Sequence, residues 1–211
     1  MKITTIPLRH TDTNCYVAVD EKSGEAVVID PGEFTQRLVN AIDGEEIKVK
    51  YILLTHGHYD HILGVYDLKE KTGAKVAIHG LDASCLRDEK DSLMDYIKPG
   101  IQKPCEADVI LEEGSEIKFG DTVLTVMHTP GHTKGSVCFV CEEDRTVFTG
   151  DTLFCRTYGR TDLPGGDDEA MTLSLERLRM MHGEYFICPG HGMTTTLDKE
   201  RIWNRRMKRL K

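Results

Sequence analysis

The stretch Thr55-His56-Gly57-His58-Tyr59-Asp60-His61 holds three imidazoles and one carboxylate within seven residues. It directly follows the apolar run 49–54, which has the composition of a buried strand. A loop in this position carries its polar side chains at the edge of a sheet, where a metal ion can reach them. Because His56 and His58 stand two residues apart, they point the same way, whereas Asp60 and His61 open a predicted helix and point elsewhere. The stretch therefore predicts one loop that supplies two metal sites, in preference to a polar loop that is rich in histidine for no functional reason.

Three further candidates follow other predicted strands, each beside a glycine or proline that permits a sharp turn and close approach of the backbone. They are His132 in Thr129-Pro130-Gly131-His132-Thr133, Asp151 in Phe148-Thr149-Gly150-Asp151-Thr152, and His191 in Cys188-Pro189-Gly190-His191-Gly192. The full set of candidate ligands is His56, His58, Asp60, His61, His132, Asp151 and His191. Imidazole and carboxylate without thiolate suit zinc, iron or manganese. Seven ligands are too many for one tetrahedral ion, and they fit two ions that share a bridging carboxylate and keep open positions for water.

This combination of motifs resembles the metallo-β-lactamase superfamily. The pattern is H-x-H-x-D-H, then PGHT, GD and PGH in that order, and the resemblance extends from Asp30-Pro31-Gly32 to His191. Within the superfamily, Gly150-Asp151-Thr152-Leu153-Phe154 followed by Gly159-Arg160 is similar to the glyoxalase II group, the hydroxyacylglutathione hydrolases and their relatives. The resemblance implies an α/β fold, a four-layer αβ/βα sandwich with two inner sheets and outer helices.

The same resemblance assigns the ligands to two metal ions. The first ion would be held by His56, His58 and His132, and the second by Asp60, His61 and His191. Asp151 would bridge the two ions, and Asp30 would brace the ligand loop. We predict two divalent ions, with zinc as the first choice and iron or manganese as alternatives.

Two adjacent cations imply metal-assisted hydrolysis. A water that bridges them loses a proton near neutral pH, and the hydroxide attacks a carbonyl carbon held over the pair. Asp60 and Asp151 would set the charge of the site and orient the bridging oxygen. The resemblance to glyoxalase II makes a thioester the first choice of substrate, such as S-lactoylglutathione or a related 2-hydroxyacyl thioester.

The substrate-binding residues depart from the pattern of glutathione-using relatives. Those relatives have a basic C-terminal helical segment, and this chain ends soon after His191, so we expect that segment to be reduced. They also place a basic residue and then an aromatic one just past the bridging aspartate; here Arg160 is followed by Asp162. The shorter glyoxalase II-like branch is the better match. Arg156, Tyr158 and Arg160 are the candidates for holding an anionic tail of the substrate.

Other activities of the same fold stay open. Persulfide dioxygenases resemble this chain, carry the Gly-Arg-Thr-Asp found at 159–162, and use one iron at positions matching His56, His132 and Asp151. A lactonase or β-lactamase also stays open, because no feature selects a ring ester or a ring amide. A non-catalytic, metal-stabilised binding module is disfavoured, because all seven candidate ligands are intact.

Length and composition favour a single domain over residues 1–211, since no linker divides the chain. The net charge of −8 argues against nucleic acid as a partner, and we predict a small-molecule substrate. No long apolar stretch could cross a membrane, and residues 1–4 lack the apolar core of a signal peptide. We therefore expect a cytoplasmic protein.

The seven cysteines are odd in number and irregularly spaced, which predicts free thiols rather than a disulfide framework. Cys138 and Cys141 form a C-x-x-C motif on a predicted strand. Residues three apart on a strand point to opposite faces, which favours packing over a redox or zinc role. Cys155 could line the site, but a role as a small apolar filler is favoured.

Hydrophobic periodicity predicts the secondary structure. Strands are expected near 2–7, 13–20, 25–30, 49–54, 75–79, 108–111, 115–119, 121–127, 135–141, 145–149 and 185–188. Helices are expected near 33–42, 60–72, 168–181 and 198–210. The third helix would be capped by Asp167 or Asp168 and would carry Met171, Leu175, Leu178 and His182 on one stripe.

The tail from Lys199 to Lys211 is strongly basic, with an apolar stripe of Ile202, Trp203, Met207 and Leu210. A terminal helix docked by Trp203, with its charges in solvent, is favoured over a basic patch for an anionic partner.

Overall fold

The structure is a computed structural model that describes residues 1–43 and 47–209. The strands are β1 (Lys2–Pro7), β2 (Asn14–Val19), β3 (Glu25–Ile29), β4 (Lys48–Leu53), β5 (Lys75–His79), β6 (Val109–Leu111), β7 (Glu116–Phe119), β8 (Thr122–His128), β9 (Val137–Cys141), β10 (Thr146–Gly150), β11 (Leu153–Phe154), β12 (Thr157–Tyr158), β13 (Phe186–Pro189) and β14 (Thr195–Thr196). The α-helices are α1 (Gln36–Ile42), α2 (Tyr59–Ile62), α3 (Val65–Thr72), α4 (Asp168–Met180) and α5 (Leu197–Trp203). Shorter 3₁₀ helices cover Gly80–Leu86, Met94–Tyr96 and Met207–Arg209.

The strands form two six-stranded sheets and a separate hairpin of β11 and β12. In the first sheet the order is β1-β2-β3-β4-β5-β6, antiparallel up to β3 and parallel from there. In the second the order is β14-β13-β10-β9-β8-β7. Leu53 pairs with both Ile29 and Ala77, so β3, β4 and β5 end side by side. The loops that follow these strands therefore meet at one edge of the sheet.

The side chains of the central strands alternate between two cores. In β3, Val27 and Ile29 face the second sheet, whereas Val28 packs with Leu38 of α1 and Leu68 of α3. The outer face of the second sheet packs against α4 in the same way, through a cluster that includes Cys138, Val140, Met171 and Leu175. The predicted four-layer α/β sandwich is confirmed.

Six of the seven cysteines lie in these cores, and Cys155 is half-buried outside them. Cys138 packs beneath α4, whereas Cys141 faces the other sheet. All seven cysteines are free, and the prediction that Cys138 and Cys141 point to opposite faces is confirmed.

The helix predicted over 60–72 is divided into α2 and α3 at Gly64. The Gly64 amide donates to the Pro31 carbonyl at 2.8 Å. A Cβ on Gly64 would lie 2.6 Å from that oxygen, so only glycine allows the turn after β3 to come so close. The turn interrupts the helix, and periodicity alone does not reveal it.

Helix α4 begins as predicted. The Asp167 carboxylate caps it by accepting from the Glu169 and Ala170 amides, both at 2.9 Å. Met171, Leu175 and Leu178 are fully buried. His182, however, lies beyond the end of the helix and is exposed, so its place on the stripe was wrong.

The C-terminal prediction was also wrong in two respects. Helix α5 ends at Trp203, because the next residue, Asn204, is extended and its side chain donates to the Thr157 carbonyl at 2.9 Å. Trp203 is 51% exposed and does not dock the helix; Leu197 and Met207 are buried instead. Leu210 lies outside the described residues. Within residues 1–43 and 47–209, no helix is both long and apolar enough to cross a membrane.

Candidate metal centre

Asp30 ties together the ends of β3 and β4. Its carboxylate accepts from the Thr55 amide at 2.8 Å and the Thr55 hydroxyl at 2.6 Å, and it lies 3.0 Å from Nδ1 of His61. Asp30 is buried and holds a φ of 51°, a left-handed conformation that few residues other than glycine adopt. These contacts fix the start of the ligand loop, and the predicted bracing role of Asp30 is confirmed.

The seven predicted ligands converge at one edge of the sandwich. Three groups have donor atoms that all lie within 4.8 Å of one another: His56, His58 and His132; Asp60, His61 and His191; and His56, His61 and Asp151. Asp151 joins the first two groups. Its oxygens lie 3.4 Å from Nε2 of His132, 3.4 Å from Nε2 of His61 and 3.5 Å from Nε2 of His191.

The spacing of the donor atoms fits metal coordination. Metal–nitrogen bonds of about 2.0–2.1 Å place donors about 3.3 Å apart in a tetrahedron and about 2.9 Å apart at a right angle. Nδ1 of His58 lies 2.8 Å from Nε2 of His132, and Nε2 of His191 lies 3.3 Å from the Asp60 carboxylate. Two buried atoms of the centre, His56 Nε2 and Asp151 Oδ1, have no hydrogen-bond partner among the described residues. A bound cation would satisfy both acceptors, and a buried polar atom left without a partner is costly.

Hydrogen bonds from the far side of the rings orient four of the imidazoles. Nδ1 of His132 lies 2.7 Å from the Arg160 carbonyl, and Nδ1 of His191 lies 2.6 Å from the Asp12 carbonyl. A carbonyl only accepts, so these Nδ1 atoms carry the proton and leave the Nε2 lone pair facing the centre. In the same way, Nδ1 of His61 contacts the Asp30 carboxylate, and Nδ1 of His56 contacts the Thr55 hydroxyl. His58 alone presents Nδ1.

Close packing of the backbone completes the centre. A Cβ on Gly190 would lie 2.3 Å from the Asp151 carboxylate and 2.8 Å from the His61 ring. Glycine therefore lets the last loop approach the bridging position, as the sequence predicts for this residue type.

Burial and charge act differently on the histidines. Burial holds the pKa of His56 well below its usual value and lowers the pKa of His58 to about 3, with the neighbouring histidines adding to the effect. Burial also opposes a proton on His61, but the Asp60, Asp151 and Asp30 carboxylates outweigh it and raise the pKa of His61 well above its usual value. The pKa of Asp151 is depressed: burial alone would raise it, and the charge of His61 reverses that effect.

Asp82 supports the centre and was missed by the sequence analysis. Its carboxylate is buried and accepts from the Gly57 amide at 3.0 Å, the Thr133 hydroxyl at 2.6 Å and the Gly135 amide at 2.8 Å. It thereby fastens the loop of His56 and His58 to the loop of His132. Its position just after β5, at the edge where the other ligand loops begin, is the signal that could have revealed it.

The predicted substrate-binding residues lie elsewhere. The Arg156 guanidinium stacks over the Trp203 ring, 5.2 Å from its centroid. Tyr158 lies beneath Arg206, and the Arg160 side chain forms a bidentate ion pair with Asp162. The structure does not bring these three side chains together with the seven ligands, although the Arg160 backbone orients His132. Their role in binding substrate stays a prediction.

A cavity of about 370 Å³ opens beside His58. Its walls include the exposed side chains of Leu81 and Tyr96, and its rim carries both charges, from Lys90 and Lys134 and from the exposed Asp91. The loop 88–105, which the sequence left as either a pocket wall or ordinary packing, thus contributes Tyr96, whereas Met94 is buried in the protein. Of the seven predicted ligands, His58 is the one that lines this cavity.

The fold has two layers of sheet between two layers of helix, with a cluster of histidine and aspartate at the sheet edge. This combination is typical of a metallohydrolase. Residues 8–191 match the description "Metallo-beta-lactamase superfamily". The chain belongs to this superfamily. It is 39% identical over 207 residues to an uncharacterized protein of Aquifex aeolicus, covering 97% of this chain and 96% of the relative. It is 32% identical over 206 residues to the hydroxyacylglutathione hydrolase GloC of Haemophilus influenzae, covering 97% of each chain.

Solved structures show the same fold over nearly the whole chain. The B3 metallo-β-lactamase BLEG-1 superimposes with a TM-score of 0.91 at 30% identity, covering 98% of this chain and 99% of the other. TTHA1623, solved in a di-iron-bound form, gives a TM-score of 0.84 at 35% identity, covering 96% and 98%.

Proposed function

We propose that this protein is a dinuclear metal-dependent hydrolase of the glyoxalase II-like type, cleaving S-lactoylglutathione or a related 2-hydroxyacyl thioester. The observation that carries the dinuclear assignment is the position of Asp151, whose carboxylate contacts histidines of both ligand groups. The likeness to GloC over the whole length of both chains supports the choice of a hydroxyacyl thioester.

Each ligand group would hold one ion, with the Asp151 carboxylate between them. When bound there, two divalent cations acidify water and polarise a carbonyl group. The Asp60 and Asp151 carboxylates accept hydrogen bonds from the attacking water and orient its lone pair toward the carbonyl carbon. Leu81 and Tyr96 offer apolar surface for the acyl group beside His58, and Lys90 and Lys134 attract the negative charge of the substrate, with Asp91 opposing them in part.

Zinc remains our first choice for both ions, and iron is the leading alternative. The mixed imidazole and carboxylate donor set accepts either metal. The di-iron-bound form of TTHA1623 supports iron. We also place the protein in the cytoplasm, acting on a small molecule without nucleic-acid partners; its seven free thiols suit a reducing compartment.

The test combines metal analysis with an anaerobic assay. We expect close to two transition-metal ions per chain and release of thiol from S-lactoylglutathione at equal rates under nitrogen and air. Thioesters of smaller thiols belong in the same panel, because Asp162 stands where glutathione-using relatives have an aromatic residue. A fixed ratio of one ion per chain, whatever metal is supplied, would contradict the dinuclear assignment.

A persulfide dioxygenase is the second candidate, favoured by the Gly-Arg-Thr-Asp sequence at 159–162. Oxygen uptake on glutathione persulfide separates the two activities. If the protein consumed oxygen with glutathione persulfide and released no thiol from any thioester, the dioxygenase assignment would replace the hydrolase assignment.

A further inference from the structure

A second cavity, of about 300 Å³, lies between the tip of the β11–β12 hairpin and the basic tail. Its lining includes four arginines together with a tyrosine and an asparagine: Arg156, Arg205, Arg206, Arg209, Tyr158 and Asn204. No acidic residue of the described chain lines it. The tail of the chain thus forms part of a concave, strongly cationic surface. The sequence had instead predicted a helix with its charges in solvent.

Several contacts hold this surface in place. Arg206 lies over the Tyr158 ring at 5.5 Å and donates to the Asp168 carboxylate at 2.6 Å. The fully buried Glu200 carboxylate accepts from the Arg156 amide at 2.7 Å and from the Asn204 side chain at 3.2 Å. The hairpin tip and the tail are therefore joined through one buried group.

The local charge balance stays positive. Among the described residues, Asp168 and Glu200 are the two carboxylates that accept hydrogen bonds from the lining residues, and four arginines line the cavity. Arg156 and Arg205 are exposed, and the stacking of Arg156 on Trp203 limits its rotamers without neutralising its charge. The Arg156 and Arg206 guanidinium groups are held by these contacts and therefore lose little entropy when they bind an anion.

The cavity is separated from the metal centre by the hairpin. Phe154 contacts the His191 ring with centroids 5.8 Å apart. Tyr158 pairs with Leu153, which neighbours Phe154 and so points to the opposite face of the hairpin. Leu153 is buried in the core beneath α4. Tyr158 and the arginines therefore lie on the side of the hairpin that faces away from His191.

We propose that this arginine cavity is a binding site for the phosphate group of a small molecule, separate from the catalytic cavity, so that Arg156 and Tyr158 serve this site and not the anionic tail of the hydrolase substrate. Guanidinium forks match the oxygens of phosphate in bidentate geometry, and several of them offset its double negative charge. A volume of about 300 Å³ lies at the small end of the range for small-molecule sites. A nucleic-acid strand is disfavoured, because the site is a small concavity on a chain with a net charge of −8.

The test is calorimetric titration of the metal-loaded protein with phenylphosphonate, whose carbon–phosphorus bond a hydrolase cannot cleave. We expect saturable binding of one molecule per chain, at least tenfold weaker in Arg156→Gln/Arg205→Gln. Both residues are exposed, so the double variant should fold, and an unchanged melting temperature verifies this. The matched control is Arg87→Gln, an exposed arginine paired with Glu106 outside the cavity, which should bind like the wild type.

Three results would overturn the proposal. One is the absence of saturable binding, and another is equal binding by the double variant, which would place the anion at the metal centre. The third concerns the substrate. If the double variant raised the KM for S-lactoylglutathione, and phenylphosphonate inhibited its hydrolysis competitively, the cavity would bind the substrate's own carboxylates. The binding measurement does not depend on hydrolase activity, so failure of the proposed function leaves this test intact.

Discussion

Replacing Asp82 with asparagine should weaken the metal centre without touching a ligand. The carboxylate accepts from three donors, two of which, the Gly57 amide and the Thr133 hydroxyl, point at the same oxygen. The Gly135 amide points at the other oxygen. An amide side chain has one acceptor oxygen and one NH₂ group, so in either orientation at least one donor faces another donor.

The size of the effect follows from these contacts. A hydrogen bond to a charged group contributes about 1.5–3 kcal/mol, and a buried donor left unpaired costs about 1–3 kcal/mol. We therefore expect Asp82→Asn to lower the free energy of unfolding by about 2–4 kcal/mol. Because Gly57 stands between His56 and His58, displacement of its amide shifts both imidazoles. Loss of such a supporting contact weakens metal affinity about 10- to 100-fold.

Urea unfolding of the metal-loaded protein and competition with a chromophoric chelator measure the two quantities. Asp91→Asn is the matched control, because it removes the same charge from an exposed residue that lines the same cavity. If Asp82→Asn kept metal affinity within about twofold of the control and stability within about 0.5 kcal/mol, the fastening role of Asp82 would be refuted.

Three further predictions test other parts of the structure. Asp151→Ala should lower metal content and turnover far more than Cys155→Ala, because Asp151 contacts both ligand groups; equal losses in elemental analysis would count against the bridge. Gly190→Ala should reduce metal content, because the added Cβ would lie 2.3 Å from the Asp151 carboxylate. Full metal loading of this variant would show that the loop of Gly190 can shift to make room. Hydrogen bonds, those from Ser23 above all, hold the pKa of Asp20 well below its usual value, so the unfolded state binds more protons as the pH falls. The stability advantage of the wild type over Asp20→Asn should then be constant above about pH 5 and shrink below the ordinary aspartate pKa of about 3.9, and a constant difference in urea unfolding down to about pH 3.5 would refute this.

The ligands themselves were predictable because each lies in a short motif directly after a strand. Such motifs reveal both the type of each ligand residue and its position after a strand. Parallel strands that end side by side then bring the loops together. The residues that support the ligands carry no such motif. Asp82 works through Gly57 and Thr133, which lie 25 and 51 residues away in sequence. Only the folded chain reveals that pairing.

The errors in secondary structure have the same origin. The break between α2 and α3 depends on contact between Gly64 and Pro31, two residues from different segments. Trp203 is 51% exposed, and the Arg156 guanidinium stacks on its ring, whereas the apolar stripe predicts burial against the core. Periodicity reports which face of a segment is apolar, but an arginine from a distant hairpin can cover that face instead of the core.

The two ligand groups differ in charge, and the difference follows from which loops supply their carboxylates. His56 and His58 have buried neighbours that are mostly imidazoles, so burial keeps them neutral and ready to donate lone pairs. His61 instead contacts Asp30, Asp60 and Asp151, and its raised pKa means that a cation entering the second group must displace a proton. The second group thus concentrates the negative charge of the centre, whereas the buried first group is neutral and borders the cavity beside it through His58. The anionic substrate that we propose would therefore meet less repulsion from carboxylates at the first group than at the second.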